Sequence, residues 1–144
     1  MIRNHYPEQP HIVPMEKDRY GNIYYTAHEY RVDTDDINLL VFEHFRYDGA
    51  SVPRWAWSIS GLRPDGLLRA AALIHDIIYL NNGSPTKIIK SSYYQMNFKK
   101  KLSYTRKDAD KLFLKIMLES GVKKWRAKIA YRAVRIGGRF LRNF

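Results

Sequence analysis

Three things are scarce or missing in this 144-residue chain. It has no cysteine, which excludes a disulfide framework and thiolate chemistry. It has no apolar run long enough to span a bilayer, since Arg69, His75 and Asp76 interrupt the one that begins at Leu67. Acidic residues are scarce in its second half, where residues 73–144 hold 17 Lys and Arg against 4 Asp and Glu. This excess predicts an anionic partner, namely nucleic acid, a nucleotide or a phospholipid surface, although a solvated basic face without a partner gives the same composition.

The length is that of one domain with a single hydrophobic core, and we expect residues 1–144 to form it. Within that domain we distinguish a β-rich part (1–46), a motif loop (47–64) and a helical part (65–142). The first residues lack the apolar stretch of a signal peptide, so a cytoplasmic protein is expected.

The pattern of residues predicts an α+β fold, with a small antiparallel sheet followed by about three helices. Aromatic and β-branched residues predict strands over residues 11–15, 23–32 and 37–45. Helical patterns with plausible ends follow over residues 65–80, 105–121 and 123–141, the second opened by a Thr105/Asp108 capping box. For residues 86–104 the pattern leaves two interpretations open, a strand pair and a lid.

The most informative segment places His75 and Asp76 side by side in an apolar helix, where burying them is costly without partners. His75 and Tyr79 are four residues apart and share a helix face, while Asp76 points about 100° away. Asp110 lies in the next helical pattern. We therefore expect the two helices to bring His75, Asp76, Tyr79 and Asp110 together as a catalytic group, with His75 as the general base.

Each of these residues also has a structural interpretation. His75 could be a core histidine bonded to a backbone carbonyl, and Asp76 could pair with Arg54 or Arg69. If Asp76 instead binds a cation, its carboxylate oxygens favour calcium or magnesium. Zinc is a weaker candidate, because no second histidine lies at helical ligand spacing from His75.

Two further groups of residues are candidates for a site. Asp48, Ser51 and Arg54 lie in a loop, where Asp48 and Ser51 are expected to bond backbone amides, or else to shape the site. The third predicted helix carries cations at intervals of three and four residues, which predicts an anion-binding stripe beside a buried stripe of Trp125, Ile129, Ile136 and Phe140. The stripe consists of Lys124, Lys128, Arg132, Arg135 and Arg139.

Three segments together resemble an uncharacterised domain family common in phages and prophages, domain-of-unknown-function family 1353. They are residues 48–54 (DGASVPR), residues 71–79 (AALIHDIIY) and residues 109–113 (ADKLF). The resemblance implies a phage or prophage origin, and hence a location in the host cytoplasm or the virion. It implies no settled function.

A weaker resemblance is to the phospholipase A-two group, which has His-Asp-x-x-Tyr on one helix and an Ala-Asp-x-x-Phe-like segment on the next. It implies that His75 activates water, Asp76 binds calcium, and Tyr79 and Asp110 brace the His75 ring. The chain departs from that group in lacking its glycine-rich calcium loop, since residues 49–53 read GASVP.

The function expected from the sequence is a small phage-encoded hydrolase, cation-assisted in one version, that cleaves an ester or phosphodiester of an anionic substrate. Two alternatives remain. One is a non-catalytic accessory protein that binds an anionic ligand, a nucleotide or a host factor, and the other is a virion structural component.

Overall fold

Seven short strands and three helices make up the described part of the chain. The computed structural model describes residues 9–19, 22–47, 67–81, 83, 88–100 and 104–141, without the side chains of residues 88, 89 and 138–141. The strands are β1 (Ile12–Pro14), β2 (Tyr24–Thr26), β3 (Tyr30–Asp33), β4 (Ile37–Val41), β5 (Arg46–Tyr47), β6 (Ile88–Lys90) and β7 (Tyr94–Phe98). The helices are α1 (Arg69–Leu80), α2 (Arg106–Glu119) and α3 (Lys124–Leu141).

The strands form two antiparallel sheets, in the orders β1-β2-β5 and β3-β4-β7-β6. The strand predicted over residues 23–32 is divided between them, because the chain bends at residues 27–29 and leaves the first sheet for the second. Thr26 anchors the bend, since its hydroxyl donates to the Phe42 carbonyl at 2.8 Å and accepts from the Phe45 amide at 3.0 Å. One continuous aromatic and β-branched run thus supplies two sheets.

The predicted strand over residues 37–45 ends at Val41, because the chain turns at Glu43 and His44. His44 has φ of 68°, in the left-handed region that non-glycine residues rarely occupy. Past this turn, β5 pairs with β2 in the first sheet.

Residues 88–98 form a strand pair, β6 and β7, that joins the second sheet next to β4. This pair lies between α1 and α2 in the chain, so the strands do not all precede the helices. The α+β class is confirmed, with one strand pair added after the first helix.

The ends of α2 follow the predicted chemistry. Thr105 accepts a hydrogen bond from the Asp108 amide, and the Asp108 carboxylate accepts one from the Thr105 amide, which completes a capping box. α1 is buried along nearly its whole length, from Ala70 to Tyr79. It packs against α2, which in turn packs against α3.

The buried face of α3 differs from the prediction. Ala127, Ala130 and Ala133 are fully buried, whereas Trp125 and Ile136 are 53% and 54% exposed. The predicted buried stripe is therefore wrong for Trp125 and Ile136, whereas Ile129 is half-buried and the side chain of Phe140 lies outside the described ones. The positions buried on α3 are thus occupied by small side chains, and a tryptophan would not fit in that closely packed space.

None of the helices in the described ranges is both long enough and apolar enough to cross a bilayer.

Candidate active site: a histidine and an aspartate on facing helices

His75 and Tyr79 lie one turn apart on α1 and both contact Asp110 on α2. His75 Nε2 is 2.6 Å from Asp110 Oδ1, and the Tyr79 hydroxyl donates to the same oxygen at 2.6 Å. The four-residue spacing on α1 stacks the two side chains above each other, which is why one carboxylate oxygen reaches both. The structure thus joins three of the four residues expected to form a catalytic group.

A third helix completes the arrangement. Arg135 on α3 donates to Asp110 Oδ2 at 2.8 Å, so both carboxylate oxygens are bonded. Asp110 is fully buried and His75 is 2% exposed, while the Arg135 side chain keeps 28% of its surface exposed. We call His75, Tyr79, Asp110 and Arg135 the Asp110 cluster.

The surroundings of Asp110 favour its ionised form. Burial alone would raise the pKa of this carboxyl, but the hydrogen bonds from His75, Tyr79 and Arg135, together with the charge that His75 carries when it is protonated, outweigh burial and lower it. Burial raises the pKa of the Tyr79 hydroxyl, and its hydrogen bond to the ionised Asp110 raises it further. Tyr79 therefore remains a donor to Asp110 at neutral pH.

An ionised Asp110 determines which nitrogen of a neutral His75 carries the proton. The carboxylate can only accept, so Nε2 must donate and the lone pair must lie on Nδ1. Nδ1 is buried and has no hydrogen-bond partner within the described residues. The ring itself is held between two aromatic side chains, with Tyr79 at 4.1 Å and Phe113 at 5.1 Å between ring centroids.

Asp76 lies on another side of α1. It is 7% exposed, and its charge contributes to the raised pKa of the Tyr47 hydroxyl, although burial of that hydroxyl is the main cause. Tyr47 belongs to β5 in the first sheet, whereas the partners of His75 lie on α1 and α2. Asp76 thus takes no part in the three hydrogen bonds that join His75, Tyr79 and Arg135 to Asp110, although it is the neighbour of His75 in the sequence.

A family comparison covers most of the chain. A family model described as a protein of unknown function, DUF1353, matches residues 25–134. The chain belongs to the DUF1353 family. Neither curated proteins nor solved structures give a significant match. The DUF1353 region contains His75, Tyr79 and Asp110 of the Asp110 cluster, and it ends one residue before Arg135.

The remaining predicted residues of this DUF1353 chain are only partly described. Asp48, Ser51 and Arg54 lie outside the described residues, as does the side chain of Arg139. Within the ranges that the structure describes, no group of three or more His, Cys, Asp or Glu side chains is arranged to hold a metal ion. The described residues therefore do not provide a calcium or magnesium site around Asp76.

The predicted cations of α3 divide into two sets. Lys124, Lys128 and Arg132 are exposed, whereas Arg135 is half-buried and bonds Asp110. The place of Arg135 in the Asp110 cluster was not predicted from the sequence, because its spacing fits the basic stripe equally well. The available signal was chemical, since a buried aspartate favours a cationic partner.

Proposed function

We propose that this DUF1353 protein is a small hydrolase in which His75 is the general base and Asp110 positions it. One observation carries the proposal: the carboxylate fixes Nε2 of the imidazole, and the opposite nitrogen, Nδ1, has no partner in the described part of the chain. A histidine that serves only as a structural link would gain stability from bonding both nitrogens. An oriented imidazole with a free lone pair is instead suited to accept a proton.

The proposed step is the attack of water on an ester carbonyl or a phosphodiester. Nδ1 takes a proton from the water as its oxygen bonds to the electrophilic carbon or phosphorus, and the imidazolium that forms is stabilised by ionised Asp110. The same proton then passes from Nδ1 to the leaving oxygen as its bond breaks, which restores neutral His75. Tyr79 acts through its hydrogen bond to Asp110 and through its ring contact with His75, and Arg135 acts through Asp110, so both are positioning residues.

The burial of His75 imposes one requirement on this step. Only 2% of its surface is exposed, so a water molecule next to Nδ1 and the ester or phosphodiester beside that water must both gain access for the reaction to begin. The net charge of +11 supports an anionic ester or phosphodiester as substrate. The proposed step uses no calcium or magnesium ion, because the described residues do not bring together a set of side chains that could bind one. The phage origin that the sequence resemblance implies is part of this proposal.

The test is hydrolysis of 4-nitrophenyl butyrate and bis(4-nitrophenyl) phosphate by the full chain and by its variants. We expect His75→Gln to lose about 10²–10⁴-fold in rate, the usual contribution of a general base. His28→Gln is the matched control, because His28 is an exposed histidine between β2 and β3 and its replacement makes the same change of side chain. Its rate should equal that of the unmodified chain.

A second measurement covers the case in which His75→Gln does not fold. Nitrogen-15 NMR of the labelled imidazole in the unmodified protein should show a proton on Nε2 and none on Nδ1 near neutral pH. A proton on Nδ1, or an unchanged rate in folded His75→Gln, would refute the proposed role of His75.

A second candidate function is non-catalytic binding of an anionic partner. The specific observation is that Lys124, Lys128 and Arg132 are exposed in a row, and no acidic residue follows Glu119 in the chain. Binding to heparin, a simple polyanion, should weaken steeply as salt is raised and should weaken further in Lys128→Glu. An affinity that does not respond to salt would exclude this candidate.

A further inference from the structure

The outer face of α3 combines exposed apolar side chains with exposed cations. Trp125 and Ile136 are 53% and 54% exposed, and Ile129 is half-buried between them. Because these three residues are separated by four and seven positions, they form one row along the helix. We call Trp125, Ile129 and Ile136 the apolar row.

Cations run alongside this row. Lys124, Lys128 and Arg132 repeat every four residues, and on a helix with about 100° between residues they lie on the arc adjoining the apolar row. The fully buried Ala127 and Ala130 lie on the opposite side of the helix. α3 therefore has one face in the core and a second, amphipathic face directed away from it.

The Trp125 ring contacts a cationic side chain, that of Arg126. The Arg126 guanidinium carbon lies 5.2 Å from the centre of the indole ring, a distance typical of a cation–π contact. A large aromatic ring that lies between cations and apolar side chains, and that is half exposed, is typical of proteins at a membrane–water interface.

We infer that α3 lies flat on an anionic phospholipid surface, with the apolar row inserted among the lipids and Lys124, Lys128 and Arg132 on the headgroups. Charge complementarity selects a negative surface, since α3 has no acidic residue. The apolar row selects lipid over nucleic acid, because a phosphate backbone offers no apolar phase for Trp125 and Ile136. This inference specifies the partner in the anion-binding candidate and does not depend on hydrolysis by His75.

The test is binding of the full chain to vesicles of phosphatidylglycerol and phosphatidylcholine in equal parts, measured by co-sedimentation. Vesicles of phosphatidylcholine alone are the neutral comparison and should bind far less. We expect Trp125→Ala and Ile136→Ser each to weaken binding by about tenfold, and the triple change of Lys124, Lys128 and Arg132 to alanine to weaken it by about 100-fold.

Matched controls come from other exposed residues. Leu80→Ser and Phe42→Ser alter exposed apolar side chains away from α3, and Lys111→Ala removes an exposed lysine from α2. These three variants should bind as the unmodified chain does. The fluorescence of Trp125, obtained by subtracting the spectrum of Trp125→Phe, should shift to shorter wavelength on anionic vesicles.

Two results would overturn the inference. One is binding to anionic vesicles that is absent, or that the controls weaken as much as the α3 variants do. The other is tighter binding to a single-stranded oligonucleotide that the lysine changes abolish and Trp125→Ala leaves intact, which would make α3 a nucleic-acid interface. A folded His75→Gln variant should bind vesicles normally, so failure of the hydrolase proposal and failure of this inference are separate outcomes.

Discussion

At the residue scale, Asp110 connects all three helices of the described chain through three hydrogen bonds. Two reach Oδ1 from α1 and one reaches Oδ2 from α3, so the carboxylate has donors on both oxygens. Such an arrangement is costly to break, because removal of the negative charge leaves the Arg135 guanidinium without its partner. The same carboxylate thus stabilises the helix packing and orients His75.

We predict that Asp110→Asn destabilises the protein by about 3–5 kcal/mol at neutral pH, the usual cost of breaking a buried ion pair. The pKa of Asp110 is lowered in the folded state, so its stabilisation is complete above the unfolded value of about 3.9 and is lost as pH falls through the folded value. The difference in free energy of unfolding between the unmodified chain and Asp110→Asn should therefore become smaller in acid. Urea unfolding at neutral, mildly acidic and strongly acidic pH measures it.

Asp33→Asn is the control for this pH dependence. The pKa of Asp33 is also lowered, chiefly by its hydrogen bond with Lys99, but this pair lies at the surface. Its replacement should change stability little at any pH. An Asp110→Asn effect that stays constant down to strongly acidic pH would contradict the assigned direction of the pKa shift.

At the element scale, α3 packs against α2 and has small side chains at its most buried positions. Ala127, Ala130 and Ala133 are fully buried on α3, and Arg135 on the same helix reaches Asp110 on α2. The buried alanines and the Arg135–Asp110 pair therefore both attach α3 to the rest of the fold.

Ala130→Leu should destabilise the protein by about 1–3 kcal/mol, because the position is fully buried and the larger side chain would overpack it. Lys128→Leu introduces the same leucine at an exposed position two residues before Ala130. It should change the free energy of unfolding by about 0.5 kcal/mol or less. Thermal and urea unfolding of both variants provide the comparison. Equal effects at the two positions would show that the alanine face is not tightly packed.

At the scale of the whole molecule, surface ion pairs connect the second sheet to α2. Asp36 follows β3 and pairs with Lys115 on α2, while Lys100 lies 3.6 Å from the same carboxylate. The hydrogen bond with Asp36 raises the pKa of Lys115. These contacts are exposed on their lysine side, so they fix orientation more than they add stability.

Asp36→Asn should cost about 1 kcal/mol or less in low salt, and the cost should decrease as salt screens the pairs. Urea unfolding at low and high ionic strength tests this. Lys107→Ala, which removes an exposed α2 lysine elsewhere on the helix, serves as the comparison and should show a smaller salt response. A loss of several kcal/mol in Asp36→Asn would mean that the pairs hold the sheet and helix together.

The local predictions succeeded where short-range chemistry is decisive. The Thr105 and Asp108 side chains alone specify where α2 begins, and the four-residue spacing of His75 and Tyr79 alone places them on one helix face. The division of residues 23–32 into two strands was not predictable, because it depends on a distant partner, the backbone at Phe42 and Phe45. The hairpin at residues 88–98 likewise depends on pairing with β4.

The amino-acid sequence by itself determined the α+β class, the charge excess of the second half and the pairing of an imidazole with a phenol on α1. Only the tertiary structure decided which side of α3 is buried and which cation serves Asp110. Helical periodicity gives the angle between side chains but not the direction of the neighbouring helix. Arg135 bonds the buried Asp110 although its spacing fits the exposed cations, and Trp125 stays exposed although its spacing fits the predicted buried stripe, because the packing of the neighbouring elements decides which side chains are covered.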